Sequence, residues 1–518
     1  MARQRRGVRA AAVGAAVAFV AVVLGACGSG SDEPEPRPAA SGPPASLDGV
    51  PGLRAVELAR VPEMPTDLVV RDGTMFVAGR QGRVFELPLG ADGTPESHRP
   101  SLAVDLDLRG QTSVDGERGL LAIEPLGDDL LALSRTRLDG TVVVELVRVG
   151  SDGRLSMADR QPVLEIDHPA TYHNGGALVV HDGDLLVSMG DDEQIEGDPP
   201  PSQDPSSPLG SIVRVPAEHL DPDAAGGPFE PAEDDLMAIG LRNPWRVALD
   251  RETGVLWIGE VGAGSIEEVN LLPADHRGAP LNYGWPVYEG DAVAHGGSEP
   301  EDHVLPVFMR EHGDGVCAII GGHVYRGDAL GGLHGVYVYG DYCSTEVRAL
   351  VAHEGEVRDD RSIARLDEPP VAFAEGPGGA LLALGAYGGI FRIEEGAPDE
   401  RSGTRLDAEV ACRTQEAFVV LQHVPTMDAS ELEHHFTAAR DAAAEVAAAG
   451  DPDLERAATE VRDGFEWAVG TGSRAGWAPD DPAVAGIIPA LTSGEDEHAY
   501  FALAMEELLA RFAGLCGS

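Results

Sequence analysis

The stretch YHNGGALVVHDGDLLVSMGD, residues 172–191, predicts a β-hairpin. Apolar residues alternate at period two on both sides of Asp182-Gly183, and this pair predicts the turn between two strands. His173 lies at the open end of the hairpin, directly before Asn174 and two glycines. Because the imidazole titrates near neutral pH, a histidine held at a strand end is a candidate general base. The alternative is a loop histidine that only caps the hairpin.

The same strand pattern recurs between residues 51 and 397. Each unit has an apolar strand, a turn with Asp or Gly and a second apolar strand, and a third strand often follows. The six units are residues 68–87, 120–149, 177–215, 245–272, 321–350 and 371–393. Such a unit cannot cover its own faces, so the units must stack on one another. We therefore predict an all-β, six-bladed β-propeller; the alternative is a large β-sandwich.

Two features lie outside this repeat. The long polar insertions at residues 193–206 and 274–315 are expected on one rim of the propeller. After a linker at 398–411, residues 412–518 are rich in Ala and Glu at helical spacing, which predicts a small C-terminal α-helical bundle of about four helices. A capping box that begins at Asp428 predicts a helix start, and Gly450 and Gly470 predict helix ends.

The composition excludes two classes of partner. The 518-residue chain has a net charge of −49, and all 38 basic residues are arginines because the sequence contains no lysine. A surface this acidic repels nucleic acid and anionic lipid headgroups. The 65 glycines and 38 prolines suit a globular protein with many short strands and tight turns.

Residues 1–26 predict a targeting segment. Four arginines precede an apolar run at residues 10–24, which is too short for a membrane-spanning helix. The sequence Leu24-Gly25-Ala26-Cys27 resembles a bacterial lipobox, which makes Cys27 the lipidated first residue of the mature protein; an ordinary cleaved signal peptide is the alternative. We expect an exported lipoprotein of the cell membrane that faces outside the cytoplasm, with residues 27–50 as a flexible tether.

Four cysteines remain besides Cys27, at positions 317, 343, 412 and 516. An even number in an exported chain indicates disulfides. Three pairings are possible, and the spacing favours Cys317–Cys343 within one domain and Cys412–Cys516 around the helical bundle.

Seven short motifs in a fixed order give the propeller region a recognisable signature. They are ERGLLAI at 117–123, HNGG at 173–176, GLRNPWR at 240–246, GEVG at 259–262 with EEVN at 267–270, NYGWP at 282–286, GGHVYRG at 321–327 and YGDYCS at 339–344. This set resembles the glucose/sorbosone dehydrogenase family of six-bladed propellers, which includes soluble aldose dehydrogenases that depend on pyrroloquinoline quinone (PQQ). It also resembles the propeller of Hedgehog-interacting protein and its relatives, which is not known for that catalysis.

The resemblance implies a reaction and two cofactors. It makes His173 the base that takes the hydroxyl proton of a sugar while hydride leaves the anomeric carbon for PQQ. It also implies a Ca²⁺ ion bound by the backbone carbonyls of Gly262 and Ala263, since Ca²⁺ prefers oxygen ligands.

The resemblance further implies which side chains bind PQQ, a quinone with three carboxylates. Arg242 offers a guanidinium fork beside the amide of Asn243, and Glu117 and Tyr283 are assigned to the same site. Tyr283 or Trp285 would form an aromatic wall. The alternatives are a salt bridge between blades for Arg242 and core packing for the two aromatic residues.

Two departures from the family pattern remove positive charge from the predicted site. The well-characterised quinone enzymes use a lysine on the fifth blade, where this chain reads DYCS at 341–344, and an arginine pair before the last blade, where it reads EPPV at 368–371.

The leading hypothesis is a lipid-anchored, PQQ-dependent sugar dehydrogenase that passes electrons to a separate acceptor. The alternative is a catalytically inactive propeller that binds a glycan or a protein at the cell surface. In a third hypothesis the helical bundle is a contact domain for another envelope protein.

Overall fold

The structure of the chain is a computed structural model. It describes residues 47–516 apart from internal gaps at 91–92, 98–100, 151–154, 156–159, 198, 224–226, 277, 296–299, 301, 314, 354, 398–407, 421–428, 450–451, 478–480, 488–490 and 492–499. The predicted signal segment, Cys27 and the capping residue Asp428 lie outside the described residues.

The described residues of the part predicted as the propeller contain twenty-seven β-strands. Their bounds are β1 Leu53–Arg60, β2 Pro65–Arg71, β3 Thr74–Gly79, β4 Arg83–Pro88, β5 Ser101–Asp107, β6 Leu120–Leu126, β7 Leu130–Thr136, β8 Val142–Arg148, β9 Gln161–Ile166, β10 Gly175–His181, β11 Asp184–Met189, β12 Ser211–Val215, β13 Leu236–Ile239, β14 Pro244–Leu249, β15 Leu256–Glu260, β16 Ile266–Leu272, β17 Leu281–Asn282, β18 Tyr288–Glu289, β19 Ala292–Val293, β20 Phe308–Glu311, β21 Ile319–Val324, β22 Tyr337–Asp341, β23 Glu346–His353, β24 Glu356–Arg365, β25 Pro370–Glu375, β26 Leu381–Gly385 and β27 Gly389–Glu395.

Twenty-five of these strands build six sheets around a central channel, antiparallel except for the pair β13–β17, which confirms the six-bladed β-propeller; β18 and β19 form a separate hairpin. Blades one and two are β2–β5 and β6–β9, blade three is β10–β13 with β17 added, blade four is β14–β16 with β20, and blade five is β21–β24. Blade six combines β25–β27 with β1, and Leu53 pairs with Glu395. The first strand therefore closes the ring by pairing with the last one, and β1 becomes the outer strand of blade six.

The hairpin at residues 172–191 is the inner half of blade three. Asp182 and Gly183 adopt φ values of 53° and 91°, the left-handed pair that a two-residue hairpin turn requires. Strands β10 and β11 pair from Gly175↔Met189 to His181↔Asp184, with one register shift between Gly175 and Leu178. The inner strands β2, β6, β10, β14, β21 and β25 neighbour one another around the ring. We call the end of the propeller where these six strands begin the His173 face.

Within the described residues, five helices follow the propeller: α1 Ala408–Val420, α2 Ala429–Ala448, α3 Pro452–Ala475, α4 Pro482–Ala485 and α5 Phe501–Cys516. The buried side chains of α2 lie at positions 432, 436, 439, 443 and 446, one per helical turn, and face a common core with Phe465 and Phe512. This confirms the helical bundle. Among the described helices, none combines the length and the apolar character that crossing a membrane requires.

Three boundaries differ from the sequence prediction. Leu47 and Val50 already pack against the core of blades five and six, so the end of the predicted tether is part of the fold. Helix α1 begins inside the predicted linker. Helix α3 continues through Gly470 to Ala475, so the predicted end at Gly470 is wrong; the left-handed residue that follows the helix is Gly476, with φ of 66°.

Candidate active site

The predicted site residues meet at the His173 face because they directly precede inner strands. Glu117 lies before β6, His173 before β10, and Arg242 with Asn243 before β14. Side chains from blades two, three and four therefore meet at one side of the channel mouth. Each of these side chains is held next to the start of a strand, and a rigid sheet supports that strand.

The imidazole of His173 is oriented by a buried carboxylate. Its Nδ1 donates to Asp191 Oδ1 at 2.6 Å, while the other oxygen of Asp191 accepts the indole N–H of Trp285 at 2.7 Å. Asp191 also accepts the backbone N–H of Glu193 at 2.9 Å. Because the proton of the neutral ring is drawn to Nδ1, the Nε2 lone pair is the basic one. The side chain is 13% exposed, so Nε2 can be reached by a substrate.

The backbone of His173 is fixed as firmly as its ring. The residue has a φ of 57°, an uncommon conformation for a residue with a Cβ atom. Its N–H donates to Glu117 Oε2 at 2.8 Å, and the amide of Asn243 donates to the same oxygen at 3.1 Å. A Cβ atom at Gly190 would lie 1.7 Å from the His173 carbonyl oxygen, so only glycine fits there.

The side-chain polar atoms of Glu117 and Asn243 are therefore engaged in hydrogen bonds within the protein. Asn243 is almost fully buried, accepts the N–H of Gly175 at 3.2 Å and donates its own backbone N–H to Glu260. Both residues position His173 and strand β10. Their predicted contact with a cofactor stays a prediction.

Arg242 lies beside the His173 group. One guanidinium nitrogen donates to the carbonyl of Val261 at 2.9 Å, and the guanidinium carbon lies 5.6 Å from the centre of the Trp285 ring. Within the part of the chain that the structure describes, Arg242 makes no ion pair, in contrast to the alternative of a salt bridge between blades. Its remaining N–H donors are therefore available for a ligand with carboxylates.

The two aromatic candidates have different environments. Tyr283 is 4% exposed, packs in the core between blades three and four, and donates its hydroxyl to the Leu271 carbonyl at 2.8 Å. Burial raises the pKa of this phenol far above its ordinary value. This placement matches the core-packing alternative and gives no contact with the other site residues. Trp285, in contrast, joins Asp191 to Arg242 and forms the aromatic wall of the group.

The turn with Gly262 and Ala263 joins β15 to β16 next to Arg242. The backbone N–H groups of residues 263–266 all point to one oxygen of Glu289, at distances from 2.7 to 3.3 Å. Burial alone would raise the pKa of Glu289, but these four donors lower it below the ordinary value. The N–H groups of the turn thus fix its conformation by donating to the Glu289 carboxylate. The assignment of its carbonyls to Ca²⁺ stays a prediction.

An oxygen-rich cluster lies behind this turn, on paired strands β15 and β16. Glu260 and Glu268 are direct cross-strand partners, and Asn270 donates to Glu268 at 3.1 Å. Burial and the like charge of Glu268 raise the pKa of Glu260 well above its ordinary value, and burial raises that of Glu268 to about 7. Among the described side chains, Glu260 Oε2 and Asn270 Oδ1 are buried without a hydrogen-bond partner. Carboxyl and amide oxygens are ligand types that suit a Ca²⁺ ion.

The fifth-blade side of the channel mouth is closed by a disulfide. Cys317 and Cys343 are bonded with a Cα–Cα distance of 5.7 Å, which confirms that pairing. Asp341 accepts the backbone N–H groups of both cysteines. In the described part of the chain, these three residues are the one close group of three potential metal ligands, but the disulfide leaves no thiolate to bind an ion. Cys412 is also in a disulfide, while its pairing with Cys516 stays a prediction.

The sixth-blade side is closed by an ion pair and by the helical bundle. Glu368 is fully buried and pairs with Arg60 at 2.8 Å. The hydroxyl of Tyr500 donates to the Arg60 carbonyl at 2.9 Å, and Glu507, held by Arg456, lies close enough to Arg60 and Glu368 to affect their pKa values. The bundle therefore contacts the propeller at the His173 face, where the family pattern places an arginine pair. No sequence signal pointed to this contact.

Other arginines do not replace the missing cations at the site. Arg326 lies at the opposite end of the propeller and pairs with Asp250, and Arg348 pairs with Asp360 on the outer strands of blade five. Arg246 crosses the channel beneath the site and donates to the carbonyls of Thr66 and Leu121 in blades one and two. Asp191 ends the predicted hairpin and Arg246 ends the GLRNPWR motif, but only the folded chain shows what each residue contacts.

Comparisons with known proteins match this architecture. The family model described as "Glucose / Sorbosone dehydrogenase" covers residues 63–388. The HIPL1 protein of Arabidopsis thaliana is 29% identical over 257 residues, which make up 42% of this chain and 36% of that protein. The aldose sugar dehydrogenase YliI of Escherichia coli is 31% identical over 119 residues, 22% of this chain and 29% of that protein. The chain thus spans less than two fifths of the length of either curated relative.

Solved structures show the same fold. A glucose dehydrogenase superposes with a TM-score of 0.54 at 20% identity and covers 66% of this chain and 99% of its own. The soluble aldose sugar dehydrogenase of Escherichia coli in the apo form gives 0.53 at 20% identity, over 66% of this chain and 100% of that one.

Proposed function

Because the chain belongs to the glucose/sorbosone dehydrogenase family, we propose that it oxidises an aldose or a related sugar, with PQQ and Ca²⁺ as cofactors and a separate electron acceptor. The observation that carries the proposal is the joint placement of His173, Asp191 and Arg242 at one side of the channel mouth. When bound, PQQ would supply an electron-poor carbonyl carbon that accepts hydride.

His173 is the general base of the proposed reaction. Its Nδ1–H is held by Asp191, so Nε2 takes the proton of the sugar hydroxyl as hydride leaves the carbon that bears it. The imidazolium that forms is stabilised by the same carboxylate at 2.6 Å. Asp191 is a positioning residue, since it acts through His173 and does not contact the sugar.

The donor set fits a quinone that carries carboxylates, although the number of cations is low. Arg242 keeps N–H donors that no described residue uses, and Trp285 stacks beside it as a flat apolar wall. Asp341 and Glu368 lie in the segments 341–344 and 368–371, where the family pattern has cations, and both are already partnered within the protein. Arg242 therefore carries most of the electrostatic attraction for PQQ.

The Ca²⁺ part of the proposal is supported by the cluster of Glu260, Glu268 and Asn270. Two of its oxygens are buried without partners, and burial together with the like charge of Glu268 raises the pKa of Glu260. A divalent cation would satisfy these oxygens and hold both groups ionised. The carbonyls of Gly262 and Ala263 lie in the adjacent turn and would complete the ligand set.

The test is to add PQQ and Ca²⁺ to the purified protein and to follow dye reduction with a panel of aldoses. We expect turnover by the wild type and by His181→Ala, a control at the other end of strand β10, and none by His173→Ala. Calorimetry reads PQQ binding directly, and Arg242→Met should weaken it at least about tenfold, whereas Arg348→Met should not. Full turnover by His173→Ala, or no turnover on any aldose, would refute the proposed reaction.

A second candidate function is a non-catalytic propeller that binds a glycan or a protein at the cell surface. The observation that favours it lies on the fifth- and sixth-blade sides, where the segments that match the family's cations contain Asp341 and Glu368, both of them bound within the protein. The same calorimetry separates the two candidates. If PQQ does not bind in the presence of Ca²⁺, the non-catalytic function is the better explanation of the site.

We further propose that the mature chain begins at a lipidated Cys27 and faces outside the cytoplasm. The lipobox-like sequence at residues 24–27 supports this location. The disulfide between Cys317 and Cys343 agrees with an oxidising compartment.

A further inference from the structure

A second pair of histidine and aspartate lies next to His173. The side chains of His168 and Asp192 are 0% and 1% exposed, so the pair is shielded from water. His168 stands in the loop that leads from strand β9 to His173, and Asp192 stands beside Asp191 in the loop after β11. Two adjacent aspartates therefore contact two histidines: Asp191 contacts the ring of His173, and Asp192 contacts the ring of His168.

Both ring nitrogens of His168 face oxygen atoms that accept hydrogen bonds. Nε2 lies 2.8 Å from the backbone carbonyl oxygen of His173. Nδ1 lies 3.1 Å from the carbonyl oxygen of Ala170 and 3.1 Å from Asp192 Oδ1. A carbonyl cannot donate, so Nε2 must carry a proton, and a second proton must lie between Nδ1 and the carboxylate. The ring thus donates from both nitrogens, which only the imidazolium form can do.

Asp192 has the partners that an ionised carboxylate needs. Its Oδ1 also accepts the backbone N–H of Ala170 at 2.6 Å, and its Oδ2 accepts the side-chain amide of Gln194 at 2.5 Å. The other charged group that packs against this loop is Arg118, which donates to the carbonyls of residues 168–170. A buried carboxylate with these donors is the counter-ion that an imidazolium without access to water requires.

The contact from His168 completes the fixation of the His173 backbone. His173 has a φ of 57°, an uncommon conformation that persists only where its surroundings hold it. Glu117 holds the N–H side of the residue at 2.8 Å, and His168 holds the carbonyl side at 2.8 Å. If the carbonyl contact is lost, the backbone can relax, and the imidazole then moves away from Asp191.

We propose that His168 is a positioning residue for the general base. It is kept doubly protonated by Asp192, and it holds the backbone of His173 through its Nε2–H. The effect on turnover rests on the proposed function, whereas the protonation of His168 and its contact with His173 do not depend on catalysis.

Two substitutions each keep one of the two contacts of the ring. In His168→Gln the side-chain nitrogen takes the place of Nε2 and can still donate to the His173 carbonyl. In His168→Asn it takes the place of Nδ1 and can donate to Asp192, but it does not reach His173. His181→Asn, at the other end of strand β10, is the matched control. The full chain is loaded with PQQ and Ca²⁺, dye reduction gives kcat and KM for an aldose, and calorimetry gives the affinity for PQQ.

We expect His168→Asn to lower kcat about 10- to 100-fold, because a displacement of about 1 Å in a reacting group has an effect of this size. KM and the affinity for PQQ should change little, since neither depends on the His173 backbone. His168→Gln should keep kcat within about threefold of the wild type, and His181→Asn should match it. A merely structural role would make the two His168 variants equally slow.

Nuclear magnetic resonance of the full chain labelled with ¹⁵N-histidine tests the same contacts without turnover. At about pH 8, where an ordinary imidazole is neutral, the wild type should contain a doubly protonated ring that disappears in His168→Gln and in Asp192→Asn and remains in His181→Asn. The Nδ1–H tautomer of His173, assigned by its loss in His173→Ala, should persist in His168→Gln and be lost in His168→Asn.

These measurements also say which idea fails. Equal kcat in the two His168 variants would overturn the proposal, and so would a set of doubly protonated rings that no substitution at His168 or Asp192 changes. If the wild type oxidises no aldose, the proposed function is refuted. The spectra then decide the positioning role alone, and a His173 tautomer that is unchanged in His168→Asn would overturn it.

Discussion

Replacement of Glu268 by glutamine should make the Ca²⁺-free protein more stable at neutral pH. Glu268 is 7% exposed, and burial raises its pKa from 4.5 to about 7. A raised pKa means that the folded protein favours the protonated carboxyl, so this stabilisation is complete below pH 4.5 and is lost as the pH rises through 7. At about 1.4 kcal/mol for each pH unit, ionisation of Glu268 at pH 7.5 costs about 3 kcal/mol relative to the unfolded chain.

Glutamine keeps the shape of the side chain and cannot ionise. Its carbonyl can still accept the Gly290 N–H, and Asn270 can rotate so that its unpartnered Oδ1 accepts from the new amide. We therefore expect Glu268→Gln to be about 1–3 kcal/mol more stable than wild type at pH 7.5 and equal to it near pH 4.5. Bound Ca²⁺ should stabilise wild type by about 3 kcal/mol at a hundredfold excess over its Kd, and the variant much less.

The assay is denaturant unfolding at pH 4.5, 6 and 7.5, with a chelator or with Ca²⁺. Glu124→Gln is the matched control, because Glu124 is a half-buried glutamate that lines the central channel and whose pKa is raised to about 8 by desolvation. This control should also be more stable at pH 7.5, but it should keep the full effect of Ca²⁺. A stability difference between Glu268→Gln and wild type that does not change with pH would refute the reasoning, as would equal stabilisation of both by Ca²⁺.

Three further predictions concern other parts of the chain. Asp191→Asn should lower kcat by roughly 10²–10⁴ with a smaller change in KM, because the amide favours the wrong tautomer of His173; an unchanged pH profile of kcat would contradict this role. Leu503→Asp should detach the helical bundle, since it buries a third carboxylate beside Glu507 and Glu368, and limited proteolysis should then cleave the variant faster than wild type. Cys27→Ala should move the protein from the membrane fraction to the soluble fraction of a bacterial host and abolish lipid labelling, whereas retention in the membrane would exclude the lipobox.

The propeller was predictable from the sequence where strands are buried on both faces. Strands such as β7 and β11 are buried at nearly every residue, and the recurrence of apolar strands separated by turns identified six units. The fourth strand of each blade was not identified. In β24, EVRDDRSIAR, one residue in ten is buried, so no alternation remains to be seen. The pairing of Leu53 with Glu395 joins residues too far apart for any local signal.

The candidate site was predictable only as a set of residue types. The motifs placed Glu117, His173, Arg242 and Asn243 on loops before inner strands, and the ring brings those loops together. The partner of each side chain depends on distances across blades, which spacing along the chain does not encode. Tyr283 shows the limit, because it stands two residues before Trp285 in one motif, yet its ring enters the core while that of Trp285 lines the site.

The two halves of the channel mouth differ in what they leave open to a ligand. On blades two to four, His173 Nε2 and the guanidinium of Arg242 keep unused hydrogen-bonding capacity. On blades five and six, Asp341 is satisfied by backbone N–H groups and Glu368 by Arg60 beneath the helical bundle. An anionic cofactor must therefore be attracted from one side, and no second cation on the opposite side can compensate for a loss of Arg242. It follows that Arg242→Met separates the two candidate functions, because a sugar-binding propeller without PQQ has no need of this unpaired charge.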